Sequence, residues 1–121
     1  MRALVVDDSS TMRKVLKSIL AGAGFEVAEA NCGPDALTWL QQGPADLALF
    51  DWNMPDMTGI ELLATVRANR VHDGMKIMMV TTESEQSEVE RALREGANEY
   101  VMKPFTRDSI LCKLQLLGCI E

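Results

Sequence analysis

The sequence predicts an α/β fold: a five-stranded parallel sheet with helices on both faces. Three observations predict it. Short apolar runs recur at Ala3–Val6, Val27–Ala30, Leu47–Phe50, Ile77–Val80 and Tyr100–Met102, and none has the apolar/polar alternation of a half-exposed strand, so each reads as a strand buried on both faces. Between the runs, apolar residues return every three or four positions, the period of a helix packed along one side. Strand and helix then alternate five times along 121 residues, which calls for parallel strands joined by right-handed crossovers.

The helices follow in order. Met12, Val15, Leu16, Ile19 and Leu20 mark the first, capped at Ser9 or Ser10 and ending near Gly22 and Gly24. Gly33-Pro34 opens the second, which runs through Leu37 and Leu40 and is closed by Gly43-Pro44. Ile60, Leu63 and Val66 mark a third that stops around Asn69. Val89, Ala92 and Leu93 mark a fourth, ended by Gly96 in the left-handed conformation that terminates many helices. Thr106 caps a fifth through Ile110, Leu111, Leu114 and Leu117.

The length suits one compact domain spanning residues 1–121, with no effector domain expected after the last helix. A net charge of −6 excludes nonspecific attraction to nucleic acid or an anionic membrane. Cys32, Cys112 and Cys119 form no CxxC pair and suggest neither a disulfide framework nor a zinc site. The first strand reaches Asp7 and Asp8 after four apolar residues, far short of a signal peptide or membrane span, so a cytoplasmic location is expected.

The polar residues at strand ends carry the chemistry. Asp7 and Asp8 follow the first strand, Asp51 ends the third, Thr81 ends the fourth and Lys103 follows the fifth. Open α/β sheets bind ligands at these carboxyl ends, where strand order reverses. Singly, each residue has a plainer reading: Asp7 or Asp8 as a helix cap, Asp51 before Trp52-Asn53-Met54-Pro55 as part of a turn, Thr81 as a β-branched strand residue, Lys103 as a solvated charge. Together they suggest more. Two carboxylates about 4 Å apart repel by on the order of 4 kcal/mol at an effective dielectric near 20, so three gathered at one edge call for a cation or for protons. An oxygen-only ligand set favours Mg²⁺, which shares its coordination with phosphoryl groups. An aspartate can then serve as nucleophile, with the metal and a lysine offsetting the charge of the transferring group.

The segments Val5-Val6-Asp7-Asp8-Ser9-Ser10-Thr11-Met12-Arg13, Asp51-Trp52-Asn53-Met54-Pro55-Asp56-Met57-Thr58-Gly59 and Tyr100-Val101-Met102-Lys103-Pro104-Phe105-Thr106 resemble the signature stretches of the response regulator receiver family, in particular its chemotaxis members. The resemblance covers essentially the whole chain and implies the flavodoxin-like strand order 2-1-3-4-5. It implies that Asp51 is the phosphoacceptor, that Asp8, Asp51 and the backbone carbonyl of Asn53 hold Mg²⁺, and that Asp7 acts through a metal-bound water. It further implies that Lys103 pairs with the phosphoryl oxygens, that Thr81 turns its hydroxyl toward them, that Tyr100 rotates inward, and that Lys103-Pro104 is a cis peptide. Asn53 and Glu83 match the positions that tune hydrolysis, in the pattern of quickly self-dephosphorylating regulators. A sensor histidine kinase is the implied phosphodonor. The implied output is docking of a target, such as the flagellar motor switch, on the face made by the fourth helix, fifth strand and fifth helix of a monomer. A relay role, passing the phosphoryl group to a histidine phosphotransfer protein, is the alternative. An enzyme of the haloacid dehalogenase-like phosphatase type is disfavoured, because those need an acid two residues after the nucleophile, where this chain has Asn53.

Two departures stand out. The residue after the switch threonine is small in much of the family and is Thr82 here. The fourth helix begins with the acidic run Glu83-Ser84-Glu85-Gln86-Ser87-Glu88, where enteric chemotaxis regulators carry lysines, so a target docking there should present basic or uncharged groups. Trp39 reads as partly core or surface, Trp52 beside Asp51 as a fluorescent reporter, and His72 in the polar stretch Arg70-Val71-His72-Asp73-Gly74 as solvated. If Thr82 crowds the acceptor, Thr82→Ala should phosphorylate faster from a small acyl phosphate, followed by stopped-flow tryptophan fluorescence; an unchanged or slower rate counts against crowding.

Overall fold

The computed structural model describes residues 1–82 and 86–120. Five strands, β1 (Arg2–Val6), β2 (Glu26–Ala30), β3 (Leu47–Asp51), β4 (Lys76–Thr81) and β5 (Glu99–Met102), form one sheet in the order β2-β1-β3-β4-β5. Every neighbouring pair is parallel. Five helices connect them: α1 (Ser10–Gly22), α2 (Gly33–Leu40), α3 (Gly59–Arg67), α4 (Gln86–Glu95) and α5 (Arg107–Leu116), with a one-turn 3-10 helix at Arg70–His72. The strand order expected from the resemblance is the one observed.

The core divides at the sheet. Leu16, Ile19 and Leu20 of α1 and Ile110 and Leu114 of α5 pack on one face with Ala3, Val5, Leu47, Leu49, Met78 and Val80. Ala36 and Leu40 of α2, Ile60, Leu63 and Val66 of α3 and Ala92 of α4 cover the other, against Leu4, Val6, Phe50, Ile77 and Met79. Successive strand residues point to opposite faces, so apolar side chains at every position supply both layers at once. That holds for β1, β3 and β4, which are buried beyond their first residues. It does not hold for β2 and β5, where Glu26, Glu29 and Met102 are exposed. These are the two edge strands, with a neighbour on one side only, and the apolar run overstated their burial.

Local signals explain most of the element ends. Ser9 caps α1 by accepting the Met12 N–H, and Thr58 and Glu61 cap α3 reciprocally, an S/T-x-x-E box absent from the sequence reading. Thr106 caps α5 as expected, through Ser109. Gly96 has φ 116°, as its role as a helix stop requires. His72 is a correction. It is buried at 5% exposure, because the 3-10 turn folds the stretch back under α3. Arg67 holds it there, donating to the carbonyls of His72 and Met75 at 2.7 Å each and of Gly96 at 2.9 Å. A polar composition hid this fold-back, since the cation that satisfies it comes from the preceding helix.

Gly59 is the position where backbone approach is closest. Its N–H donates to the Trp52 carbonyl at 2.9 Å, and a Cβ on it would overlap the Asp51 carbonyl oxygen and crowd the Met79 side chain. Gly59→Ala should therefore destabilise the fold by about 2 kcal/mol, despite the better helix propensity of alanine. Urea denaturation measures this, and a variant as stable as the parent would show that the loop gives way freely.

Candidate functional site

The acidic residues converge because of register. Val6 pairs with Phe50, so the next residues, Asp7 and Asp51, lie side by side where these two interior strands end. Asp8 follows, and carboxylate oxygens of Asp7, Asp8 and Asp51 all come within 4.8 Å of one another. Asp7 and Asp51 are buried at 1% and 5% exposure, whereas Asp8 faces solvent. Lys103 arrives from the other side: its Nζ lies 3.2 Å from Asp51 Oδ1 and 3.5 Å from Asp7 Oδ2. Its backbone N–H donates to the Thr81 carbonyl at 2.8 Å, continuing the β4–β5 ladder, and the Lys103-Pro104 peptide is cis.

Burial raises the pKa of Asp51, reinforced by the neighbouring Asp7 charge and opposed by Lys103. Asp7 is held more fully. Its Oδ1 accepts the Ser9 N–H at 2.9 Å, and its own N–H donates to Ala30 at 3.1 Å. A set of carboxylate oxygens, two of them buried, beside a cationic lysine fits a small hard divalent ion and a phosphoryl group together.

Thr81 is buried at the end of β4, one strand from Asp51, while Thr82 after it is exposed. Asn53 is exposed in the loop after Asp51. That loop turns at Asp56, whose φ of 67° and whose Met57 N–H to Pro55 carbonyl bond of 2.7 Å make a tight three-residue turn. The turn reading of the stretch up to Pro55 did not extend to Asp56, because aspartate is only one of the residues that tolerate the left-handed region. Tyr100 stands apart from the carboxylates: its half-buried ring lies under Lys113, with Nζ 4.7 Å from the ring centre, and Lys113 pairs with Glu99 at 3.1 Å. Trp52 is 8% exposed and packs with Phe50 and Met54 in the core beneath α2 and α3, next to Asp51 in the chain. Glu83 and Glu85 lie outside the described residues; Glu88 is in the first turn of α4.

This arrangement coincides with a family pattern. The model of the response regulator receiver domain matches residues 3–115. The chain belongs to the response regulator receiver family. A chemotaxis protein CheY of Pseudomonas aeruginosa is 43% identical over 116 residues, covering 95% of this chain and 94% of that protein. A CheY homologue of Campylobacter jejuni is 44% identical over 117 residues, covering 95% and 90% respectively. The solved structure of a chemotaxis response regulator of Vibrio cholerae superposes with a TM-score of 0.90 at 34% identity, covering 96% of this chain and 97% of that one. The 2-1-3-4-5 order of CheY is itself a standard instance of ligand binding at a switch point, and in this receiver the carboxylates occupy that edge. No helix among the described residues is long and apolar enough to cross a membrane.

The raised pKa of Asp51 has a consequence for stability. An acid whose folded pKa lies above its unfolded value destabilises the fold once it is ionised. Stability falls as pH rises from the ordinary aspartate range through the folded pKa, and above that the full cost remains. In chelator-treated buffer Asp51→Asn should therefore be more stable than the parent at neutral pH, with the gap closing as pH is lowered through that window. Thermal melts across pH test this; a gap that is absent, or that widens in acid, contradicts it.

Proposed function

We propose that this receiver is a two-component signalling switch that accepts a phosphoryl group on Asp51 from a sensor histidine kinase and thereby alters a partner-binding surface, in a chemotaxis pathway. The observation that carries the reading is Lys103 Nζ seated between Asp51 and Asp7 with Asp8 beside them, a cation and an acidic cluster at one strand edge. An Asp51 carboxylate oxygen attacks the donor phosphorus. The new O–P bond forms as the bond to the donor nitrogen, or to the acyl oxygen of acetyl phosphate, breaks, and the leaving group takes the electron pair. Asp8, Asp51 and the Asn53 carbonyl would hold Mg²⁺, with Asp7 acting through a water. Bound there, Mg²⁺ neutralises charge on the phosphoryl oxygens and lets Asp51 stay ionised.

Lys103 exchanges its Asp51 contact for a phosphoryl oxygen, and Thr81 turns its hydroxyl to another. Tyr100 and the α4–β5–α5 face respond, and a target such as the flagellar motor switch docks there. Asn53 and Glu83 set hydrolysis, and Thr82 limits access to the acceptor. The receiver acts as a cytoplasmic monomer, catalysing only its own phosphorylation and dephosphorylation. The names of its relatives favour chemotaxis over a relay role.

Incubation with acetyl phosphate and Mg²⁺ should add one phosphoryl group, detected by intact mass, and beryllofluoride should change the emission of Trp52. EDTA or Asp51→Asn should abolish both. A response that survives Asp51→Asn removes the proposal.

A further inference from the structure

The peptide between Asp7 and Asp8 sets the angle between two of the three carboxylates, and one side chain grips it. Arg13, on the first turn of α1, donates from Nη1 to the Asp7 carbonyl at 2.7 Å. The same guanidinium donates from Nε to Glu29 Oε1 on β2 at 3.3 Å, and Lys17 lies 3.6 Å from the other Glu29 oxygen. The Arg13 side chain is 18% exposed, so both bonds form in a partly desolvated setting. Asp7 N–H is already tied to Ala30 on β2, so Arg13 fixes the other end of the same residue. Among the described residues no backbone N–H reaches this carbonyl, so Arg13 is the group that fixes the carbonyl end of Asp7.

We propose that Arg13, tethered by Glu29, is a positioning residue that holds the Asp7–Asp8 peptide in the geometry the acidic cluster needs to bind a divalent cation. This rests on the phosphoryl-switch reading only in taking those carboxylates as a cation site. Charge and geometry make opposite predictions. Arg13 is a cation near three carboxylates, so if it acted through its field, removing it would strengthen cation binding, and the effect would fade with salt. Glu29 pairs with the guanidinium and offsets much of that field, which leaves the hydrogen bond to Asp7 as the dominant influence.

The full chain, Arg13→Met and Glu29→Gln are titrated with MgCl₂ by calorimetry at about 0.05 M and about 0.5 M KCl, salt levels at which screening differs strongly. Arg13→Met should bind Mg²⁺ about tenfold more weakly, the usual loss when a group orienting a metal ligand is removed, and the ratio to the parent should be the same at both salts. Glu29→Gln, which leaves a neutral and weaker acceptor and so loosens the tether, should bind more weakly than the parent and more tightly than Arg13→Met, again by the same ratio at both salts. Urea midpoints in EDTA check that each variant is folded; if Arg13→Met is not, Glu29→Gln decides. Affinity equal to or above the parent, or a loss that disappears at high salt, overturns the proposal. A parent that binds no Mg²⁺ instead overturns the cation-site reading beneath it.

Discussion

The structure depends on one electrostatic constraint: three carboxylates share a strand edge, and one ammonium group faces two of them. At the 4.8 Å limit of their separations, each like-charged pair repels by about 3 kcal/mol at an effective dielectric near 20, less for exposed Asp8 where water screens it. Lys103 at 3.2 and 3.5 Å opposes this for the two buried members, yet the pKa of Asp51 remains raised. One lysine does not neutralise three aspartates. The site is left with an unmet demand for positive charge, which makes it receptive to a divalent ion.

Holding such a cluster together requires a rigid frame, and the sheet supplies it. β1 and β3 are adjacent interior strands, enclosed by α1 and α5 on one side and α2, α3 and α4 on the other, so the backbone that presents Asp7 and Asp51 is fixed by apolar packing on both faces. Repulsion among side chains at the end of two buried strands cannot be relieved by moving the strands apart. Only rotamers, loops and ligands remain adjustable. The β3–α3 loop beside the cluster turns sharply, with Asp56 at a positive φ and Gly59 letting the chain pass against the Asp51 carbonyl.

What could be read from the sequence divides along the same line. Buried strands and amphipathic helices announce themselves by period, and the strand-end rule then gathers Asp7, Asp8, Asp51, Thr81 and Lys103 without any knowledge of side-chain position. Edge exposure was overlooked because β2 and β5 were read by their apolar residues, although Glu26, Glu29 and Glu99 set them apart from β1, which has no acidic residue, and from β3, whose one acid is at its end. His72 was misread because its burial depends on Arg67 reaching from α3 to carbonyls that are close in space by tertiary folding. The roles of Arg13 and Gly59 were hidden for the same reason: each acts on a backbone carbonyl, and carbonyl positions leave no mark in residue identity.

The frame also determines where a change at the cluster can be felt. Asp51 is paired with Val80 and Thr81 with Met102, and the Lys103 N–H hangs from the Thr81 carbonyl, so the ends of β3, β4 and β5 form one continuous hydrogen-bonded edge. Under the proposed function, a phosphoryl group on Asp51 draws Lys103 and Thr81 at once, the one following β5 and the other ending its neighbour β4, beside the α4–β5–α5 face. The α1 side, by contrast, is tied down: Arg13 bridges Asp7 to Glu29, and Ser9 binds the Asp7 carboxylate. Asp7 is therefore held from the α1 side, and Lys103 is the side chain the proposed switch would move. Under the proposed function a signal generated at Asp51 travels toward β4 and β5, because on that side Lys103 meets both buried carboxylates through a long side chain that can exchange one of them for a phosphoryl oxygen.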